Sequence, residues 1–233
     1  MKLVFDTEAN GLLFDADTIW CVACKDRLTG AVSQFTPDSI SEAIEFLMSA
    51  KMLIGHNISQ YDIPLIEKLS GVNLFDHCTI RDTYCMSKMF YPERLSHSLE
   101  SYGEQFQRAK PVHEDWSRFT SEMLHRCTED VEINDLTYAW LVQENCQDWD
   151  WILSLELEQE FAYNQGLQEL AGVDIDLDVC YKIVRDIDKE VDEIDATIRP
   201  LLPKRVKKKG ETVKKPFKIN GEYTKAVLEW FSI

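Results

Sequence analysis

Lys2-Leu-Val-Phe-Asp-Thr-Glu-Ala-Asn-Gly-Leu12 is the stretch on which the reading of this chain turns. It opens as an apolar strand, Leu3 to Phe5, and then sets two carboxylates two residues apart, Asp6 and Glu8. Residues i and i+2 of a strand share a face, so these two anions lie side by side at the end of a buried-looking strand. Like charges placed there repel unless a cation sits between them or water solvates them. The first alternative is an all-oxygen site for a hard divalent ion such as Mg²⁺ or Mn²⁺, and the second is a solvated strand end. Asp-x-Glu alone does not decide between the two.

Working outward, Asn10-Gly11 signals a turn, and Thr18–Lys25 and Ala31–Phe35 read as two further strands joined at Arg27–Gly30. The chain thus opens as three antiparallel strands. Ser39 and Glu42 have capping-box spacing ahead of an apolar helical stripe through Ile40, Ala43, Ile44, Leu47 and Met48. Met52-Leu-Ile-Gly55 is a short, wholly apolar strand of the kind buried on both faces. A loop from His56 leads into a helix that Gly71 ends, Cys78–Asp82 is a short strand, and Thr83–Phe90 and Ser98–Phe106 are helices. Thr120 to about Val142 is the long helix of this half, followed by a polar joint, Gln143–Trp151. Then come only helices, Leu153–Leu170 and the charged amphipathic Leu177–Ile198, with a basic loop Lys204–Lys218 and a last helix Glu222–Phe231. The expected fold is α/β: three antiparallel strands, then parallel strands, flanked by helices over residues 1–148, with a helical extension over 149–233.

Composition narrows the classes. The 233 residues are 45% hydrophobic, enough for one large domain or a medium one with an appendage. No apolar run reaches about 18 residues and the chain starts in a strand rather than a basic, apolar leader, so no membrane association and a cytoplasmic location are expected. The seven cysteines form no disulfide framework. Cys21 and Cys24 fall in a strand without a second metal-ligand pair and read as reduced core residues. The net charge is −16 but uneven: residues 204–233 hold nine Lys or Arg against three Glu, a net +6, which leaves −22 on the first 203. Such an acidic body binds nucleic acid only where metal ions neutralise the site, with the basic run as either a second contact or a solvated loop.

Carboxylates recur at the ends of apolar elements in three places. Beside Asp6 and Glu8 stand Asp62, at a helix start with Asn57 and Tyr61 nearby, and Asp130, inside the long helix with His125 five residues before it. Five residues is some 140° around a helix, which lets both border one cleft. Four acids and a histidine are the inventory of two-metal phosphodiester hydrolysis. A histidine, with its ordinary pKa of about 6.5, is suited to take the proton of the attacking water.

Asp6-Thr-Glu8, Asn57-x3-Tyr61-Asp62 and His125-x4-Asp130, in that order, resemble the three motifs of the DEDD 3′–5′ exonuclease superfamily, which has a DnaQ-like, ribonuclease-H-type fold. Within it, the Asp-x-Glu-Ala-Asn-Gly-Leu opening, His56-Asn57-x3-Tyr61-Asp62, Arg81-Asp82-Thr83 and Ser96-His-Ser-Leu-Glu-Ser-Tyr-Gly103 are similar to the proofreading domain of phage-type family-A DNA polymerases. Leu157-Glu-Gln-Glu160 and Gly172-Val-Asp-Ile-Asp176 resemble the passage into the polymerase thumb, and nothing further on resembles a palm. The resemblance implies a proofreading exonuclease that acts on the 3′ end of single-stranded DNA and is part of, or partner to, a polymerase carried elsewhere. It implies two divalent ions, Mg²⁺ or Mn²⁺, on Asp6, Glu8, Asp62 and Asp130, with Asp6 bridging both and Asp62 acting mostly through water.

The motif departs at one point. Family-A proofreading domains carry tyrosine four residues before the last aspartate, and Arg126 stands there; a guanidinium stays protonated and cannot be a base. His125 has the spacing of the histidine subclass and is the expected general base. Thr7, Leu12, His56, Asn57 and Tyr61 are the implied substrate contacts. Leu12 is either a wedge against the terminal base or a leucine buried after a turn, and the alternative for Asn57 and Tyr61 is a structural cap or core role. The alternatives to proofreading are a free-standing histidine-subclass exonuclease on DNA or short RNA, and a catalytically silent module that docks DNA or a polymerase.

Overall fold

The first strand, β1 (Lys2–Ala9), is the centre of a five-stranded mixed sheet. With β2 (Ile19–Asp26), β3 (Val32–Phe35), β4 (Met52–Gly55) and β5 (Thr79–Asp82), the strand order is β3-β2-β1-β4-β5. β1 pairs antiparallel with β2 and parallel with β4; β2–β3 is antiparallel and β4–β5 parallel, as the sequence predicts. The computed structural model describes residues 1–145 and 150–201. The basic run Lys204–Lys218, the helix expected over Glu222–Phe231 and part of the joint Gln143–Trp151 lie outside the described residues.

Strand parity assigns each side chain of β1 to a layer. Leu3 and Phe5 enter a core shared with Ala43 and Leu47 of α1 (Ile40–Met48) and Ile63, Leu65 and Ile66 of α2 (Asp62–Ser70). Val4 enters the opposite core, with Met123, Cys127 and Val131 of α5 (Ser121–Asn145) and Met86 of α3 (Thr83–Phe90). Asp6 and Glu8 share parity with Val4 and project toward α5, and Thr7 projects toward α2. A small third cluster joins Leu99 and Tyr102 of α4 (Leu99–Gln105) to Ile133. Cys21 and Cys24, three residues apart on β2, fall in opposite cores, buried and free, so they form no ligand pair.

The ladder between β1 and β4 stops at Val4–Ile54, where the chain of β4 turns away at Gly55. A Cβ on Gly55 would lie 2.0 Å from Ile58 Cγ2, so only glycine lets the following loop fold back this tightly. On the other edge, the pairing with β2 shifts register between Glu8 and Ala9, a bulge that bends the end of β1. Both irregularities fall at the carboxyl ends of the parallel strands, where open α/β sheets place their clefts.

The unit that contains this sheet runs from Met1 to Val173 rather than ending at 148. α6 (Ile152–Ala171), expected to open a separate extension, packs on it instead. Leu155 is buried in the α5-side core, Tyr163 stacks 4.5 Å from Phe75, and the Gln159 side chain accepts a 2.7 Å bond from the Asp82 amide. Gly166 makes the close approach feasible, since a Cβ there would stand 2.6 Å from the Gln60 carbonyl. The second unit begins at Asp174, and its described part is α7 (Leu177–Ile198) with a short helical turn, Arg199–Leu201. Among the described residues, no helix is long and apolar enough to cross a membrane.

Candidate metal centre

One oxygen from each of Asp6, Glu8 and Asp130 lies within 4.8 Å of the other two. β1 supplies the first two from one face, and α5 lays Asp130 against them. α5 is held in register by Met123, Cys127 and Val131 at four-residue steps and by a 3.3 Å contact from Cys127 Sγ to the Asp6 carbonyl. Asp62, the first residue of α2, comes from the other side of the sheet. Its Oδ1 accepts from both the amide (3.1 Å) and the hydroxyl (2.5 Å) of Thr7, the residue between the two acids. Thr7, expected on the substrate, is buried and committed to orienting Asp62.

Burial and mutual repulsion oppose ionisation here. Desolvation, then Asp130, Glu8 and Asp62, hold the Asp6 carboxyl well above the usual range. Burial pushes Glu8 up to about 7 against the pull of Arg126, and Asp62 up to about 6 against the Thr7 hydrogen bonds. Asp130 is raised by burial, with Lys110 pulling it back. Two cations meet the cluster: Lys110 Nζ lies 2.5 Å from Asp130 Oδ2, and Arg126 Nε lies 3.2 Å from Glu8 Oε1. Arg126 also donates to the Pro111 carbonyl at 2.7 Å and sits 5.3 Å from the Trp116 ring centroid. Asp130 Oδ1 is buried and has no hydrogen-bond partner among the described residues. An all-oxygen donor set, crowded anions and an unpartnered buried oxygen together fit a hard divalent ion.

His125 is exposed on α5. Arg126 stands four residues before Asp130, only about 40° away around the helix, and is the side chain that reaches Glu8. The positive form of His125 would help to hold the Glu129 carboxyl below the usual range, after Arg108.

Two clefts flank the carboxylates. One of about 410 Å³ is lined by Thr7, Glu8, Leu12, Tyr61 and Trp116. Leu12 is 74% exposed, not buried after the turn. Its loop is fixed by Asn10, whose side-chain oxygen accepts from the amides of Asp17 and Thr18, and by Lys68, which donates to the carbonyls of Leu13, Phe14 and Ala16. Tyr61 donates to the Gly11 carbonyl at 2.6 Å, tying the two walls together. The other cleft, about 460 Å³, is lined by His56, Asn57, Gln60, Tyr84, Lys110 and Arg126 among others. His56 bonds Thr83 Oγ1 at 2.9 Å, and burial pushes its pKa down to about 3, so it is neutral near pH 7.

The loop from His56 to Tyr61 depends on Asp82, which the Arg81-Asp82-Thr83 motif contains but to which the sequence assigned no role. Buried Asp82 accepts from the amides of Asn57 and Ser59 on separate oxygens, each at 2.9 Å, and caps α3 through Tyr84. Asn57 takes a left-handed backbone there, with φ 64°. The available sequence signal was the helix-cap position of an aspartate between a strand and a helix. Lys110 and Arg126 gave no such signal.

No protein-family model matches the chain, and no curated protein does. Solved structures do. Brucella melitensis NrnC superposes with a TM-score of 0.59 at 18% identity, over 75% of this chain and 89% of that one. Escherichia coli RNase D gives 0.54 at 15%, over 70% and 45%. A protein from Bifidobacterium adolescentis gives 0.52 at 19%, over 71% and 41%. The chain has a ribonuclease-H-like fold. The carboxylate cluster of Asp6, Glu8 and Asp130 lies where the carboxyl end of β1 meets α5.

Proposed function

We propose that this chain is a metal-dependent 3′–5′ exonuclease that removes 5′-mononucleotides from the 3′ end of single-stranded DNA, proofreading for a polymerase carried on another chain. The observation that carries the nuclease reading is the convergence of Asp6, Glu8 and Asp130 within 4.8 Å, with Asp62 oriented by Thr7. Asp6, Glu8 and Asp130 would hold one ion, and Asp62, approaching from the Thr7 side, would serve a second. When bound, the two ions lower the pKa of a water and steady the leaving oxygen. NrnC has been solved with Mg²⁺, which supports that metal.

The chain's own residues do the rest. Leu12, Tyr61 and Trp116 form an amphipathic wall on which a terminal base can stack, the usual means of binding single strands with little sequence preference. Asn57 and His56 line the companion cleft, and neutral His56 can donate to, or accept from, a sugar or phosphate oxygen. His125 is the proposed acceptor of the water's proton. Arg126 and Lys110 reach the carboxylates and can hand over to phosphate oxygens when metal takes those carboxylates.

The polymerase link rests on sequence motifs alone. A second reading has a specific observation behind it: NrnC is also known bound to pGG, which favours short oligonucleotides as substrate and a free-standing enzyme. Incubation of 5′-labelled single-stranded DNA, RNA and dinucleotides with Mg²⁺, Mn²⁺ or chelator tests both. Metal-dependent shortening of DNA from its 3′ end supports the first reading, preference for dinucleotides the second, and no shortening of any substrate rejects both.

A further inference from the structure

α7 carries a strict seven-residue repeat. Leu177, Val184, Val191 and Ile198 follow one another at seven-residue steps, and Cys180, Ile187 and Ile194 stand three residues after the first three. A straight helix drifts about 20° per heptad against such a repeat, only about 60° over the length of α7, so these side chains stay on one face that a partner helix can follow. The seam is open. Leu177, Val184, Ile187, Val191 and Ile194 are 50–60% exposed, and no residue of α7 is buried.

Charge around the seam is segregated. The positions that flank it hold Asp188 and Asp195 on one side and Glu190 on the other, with Tyr181, Ile183 and Thr197 uncharged. The helix's cations, Lys182, Arg185 and Lys189, stand on the outer face, where Lys189 pairs with Glu193 at 3.8 Å. Flanking charges select coiled-coil partners, and these are all of one sign.

We propose that the α7 seam docks an α-helix of a different polypeptide, one with apolar heptads and Lys or Arg beside its own seam. A second copy of this chain fits poorly. In a parallel pair Glu190 would face Asp195 of the other copy, and in an antiparallel pair the Asp188–Asp195 edges would face each other. Isoleucine at Ile187 and Ile194, three residues after each seam-opening valine, is also not the pattern of parallel two-stranded pairs. The chain's own basic run fits poorly too: Lys204–Lys218 contains Gly210 and Pro216, and its apolar residues are only Val206, Val213 and Phe217. The inference stands on α7 alone and does not depend on the exonuclease reading.

The test uses the full chain and a synthetic helix of about four heptads, with an isoleucine and leucine seam and lysine at every flanking position, read by fluorescence anisotropy. The expected result is binding at least about tenfold tighter than to the same helix with glutamate flanks. Ile187→Asp with Ile194→Asp should weaken it by at least about tenfold while circular dichroism keeps its helix signal. Asp188→Lys with Glu190→Lys, both on the surface, should invert the preference for lysine over glutamate flanks. Equal affinity for the two helices, or none for either, overturns the proposal. So does a concentration-dependent dimer in sedimentation that Ile187→Asp dissolves, which assigns the seam to a second copy. A gain of about tenfold in binding on replacing Lys207, Lys208 and Lys209 by Glu overturns it as well, by assigning the seam to the chain's own basic run.

Discussion

In the cleft, three acidic side chains crowd their oxygens within 4.8 Å and burial raises their pKa values. On α7, Asp188 and Glu190 stand in water beside an uncovered apolar seam. The residue types are the same and the energetics opposite. Buried carboxylates are costly, and here Lys110 on Asp130 and Arg126 on Glu8 offset part of that cost. Exposed carboxylates cost little and act mainly by excluding partners of like charge. Clustered acids inform about function according to what surrounds them.

The sharpest way to break this contrast is to remove an acid from the cleft. Asp6→Ala should lower Mg²⁺-dependent release of mononucleotides by about 10³-fold or more, the several kcal/mol that such ions supply. The same change removes a repulsive group, so the chelated variant should melt no lower than the chelated parent, and the rise in Tm on adding Mg²⁺ should shrink. A variant that keeps its activity sinks the nuclease reading. His125→Ala should lower kcat by about 10²-fold through loss of a general base, leaving Mg²⁺ affinity intact because His125 is not one of the clustered groups. Unchanged kcat would remove His125 from the chemistry and turn attention to the Arg126 face of α5.

Smaller effects sharpen the structural side. Gly166→Ala drives a Cβ to 2.6 Å from the Gln60 carbonyl and should destabilise the first unit by about 1–3 kcal/mol in denaturant unfolding. No loss would mean that α6 does not pack as described.

The cleft should also leave a mark on the pH dependence of stability. Folded Glu8 titrates near 7 against an ordinary 4.5, and Asp62 near 6 against 3.8. The folded protein therefore binds more protons than the unfolded chain between these values, so metal-free stability is greatest below about pH 4 for these two groups and falls as pH rises to 7. At about 1.4 kcal/mol per pKa unit the loss should be on the order of 6 kcal/mol, and Mg²⁺ should offset it. Thermal melts from pH 4 to 8 with chelator or Mg²⁺ check the sign. On α7, by contrast, Asp188→Asn should change stability by less than about 0.5 kcal/mol at any pH in that range.

Much of the sheet was legible because its signals are local. The apolar run of Leu3–Phe5, the turn at Asn10-Gly11 and the wholly apolar Met52–Gly55 each announce their element, and the structure has all five expected strands, antiparallel and then parallel. Asp6 and Glu8 were legible as neighbours because strand period fixes them on one face. α6 was misplaced because the contacts that bind it to the first unit, Gln159 with Asp82 and Gly166 with Gln60, join residues far apart in the chain. Asp82 stood in a quoted motif, but its role hid for the same reason: its cap position is local, while its grip on the loop of Asn57 and Ser59 is not.

The sequence by itself determined the periodicities of this protein: the alternation that puts Asp6 and Glu8 together and the heptads that give α7 its seam. Both are set by backbone geometry, which repeats without reference to the rest of the molecule. Only the tertiary structure decided that Asp130 joins the two strand carboxylates, that Thr7 serves Asp62, and that Arg126 rather than His125 meets Glu8. Those outcomes depend on the distance and rotation at which one packed element meets another, and no local pattern encodes them.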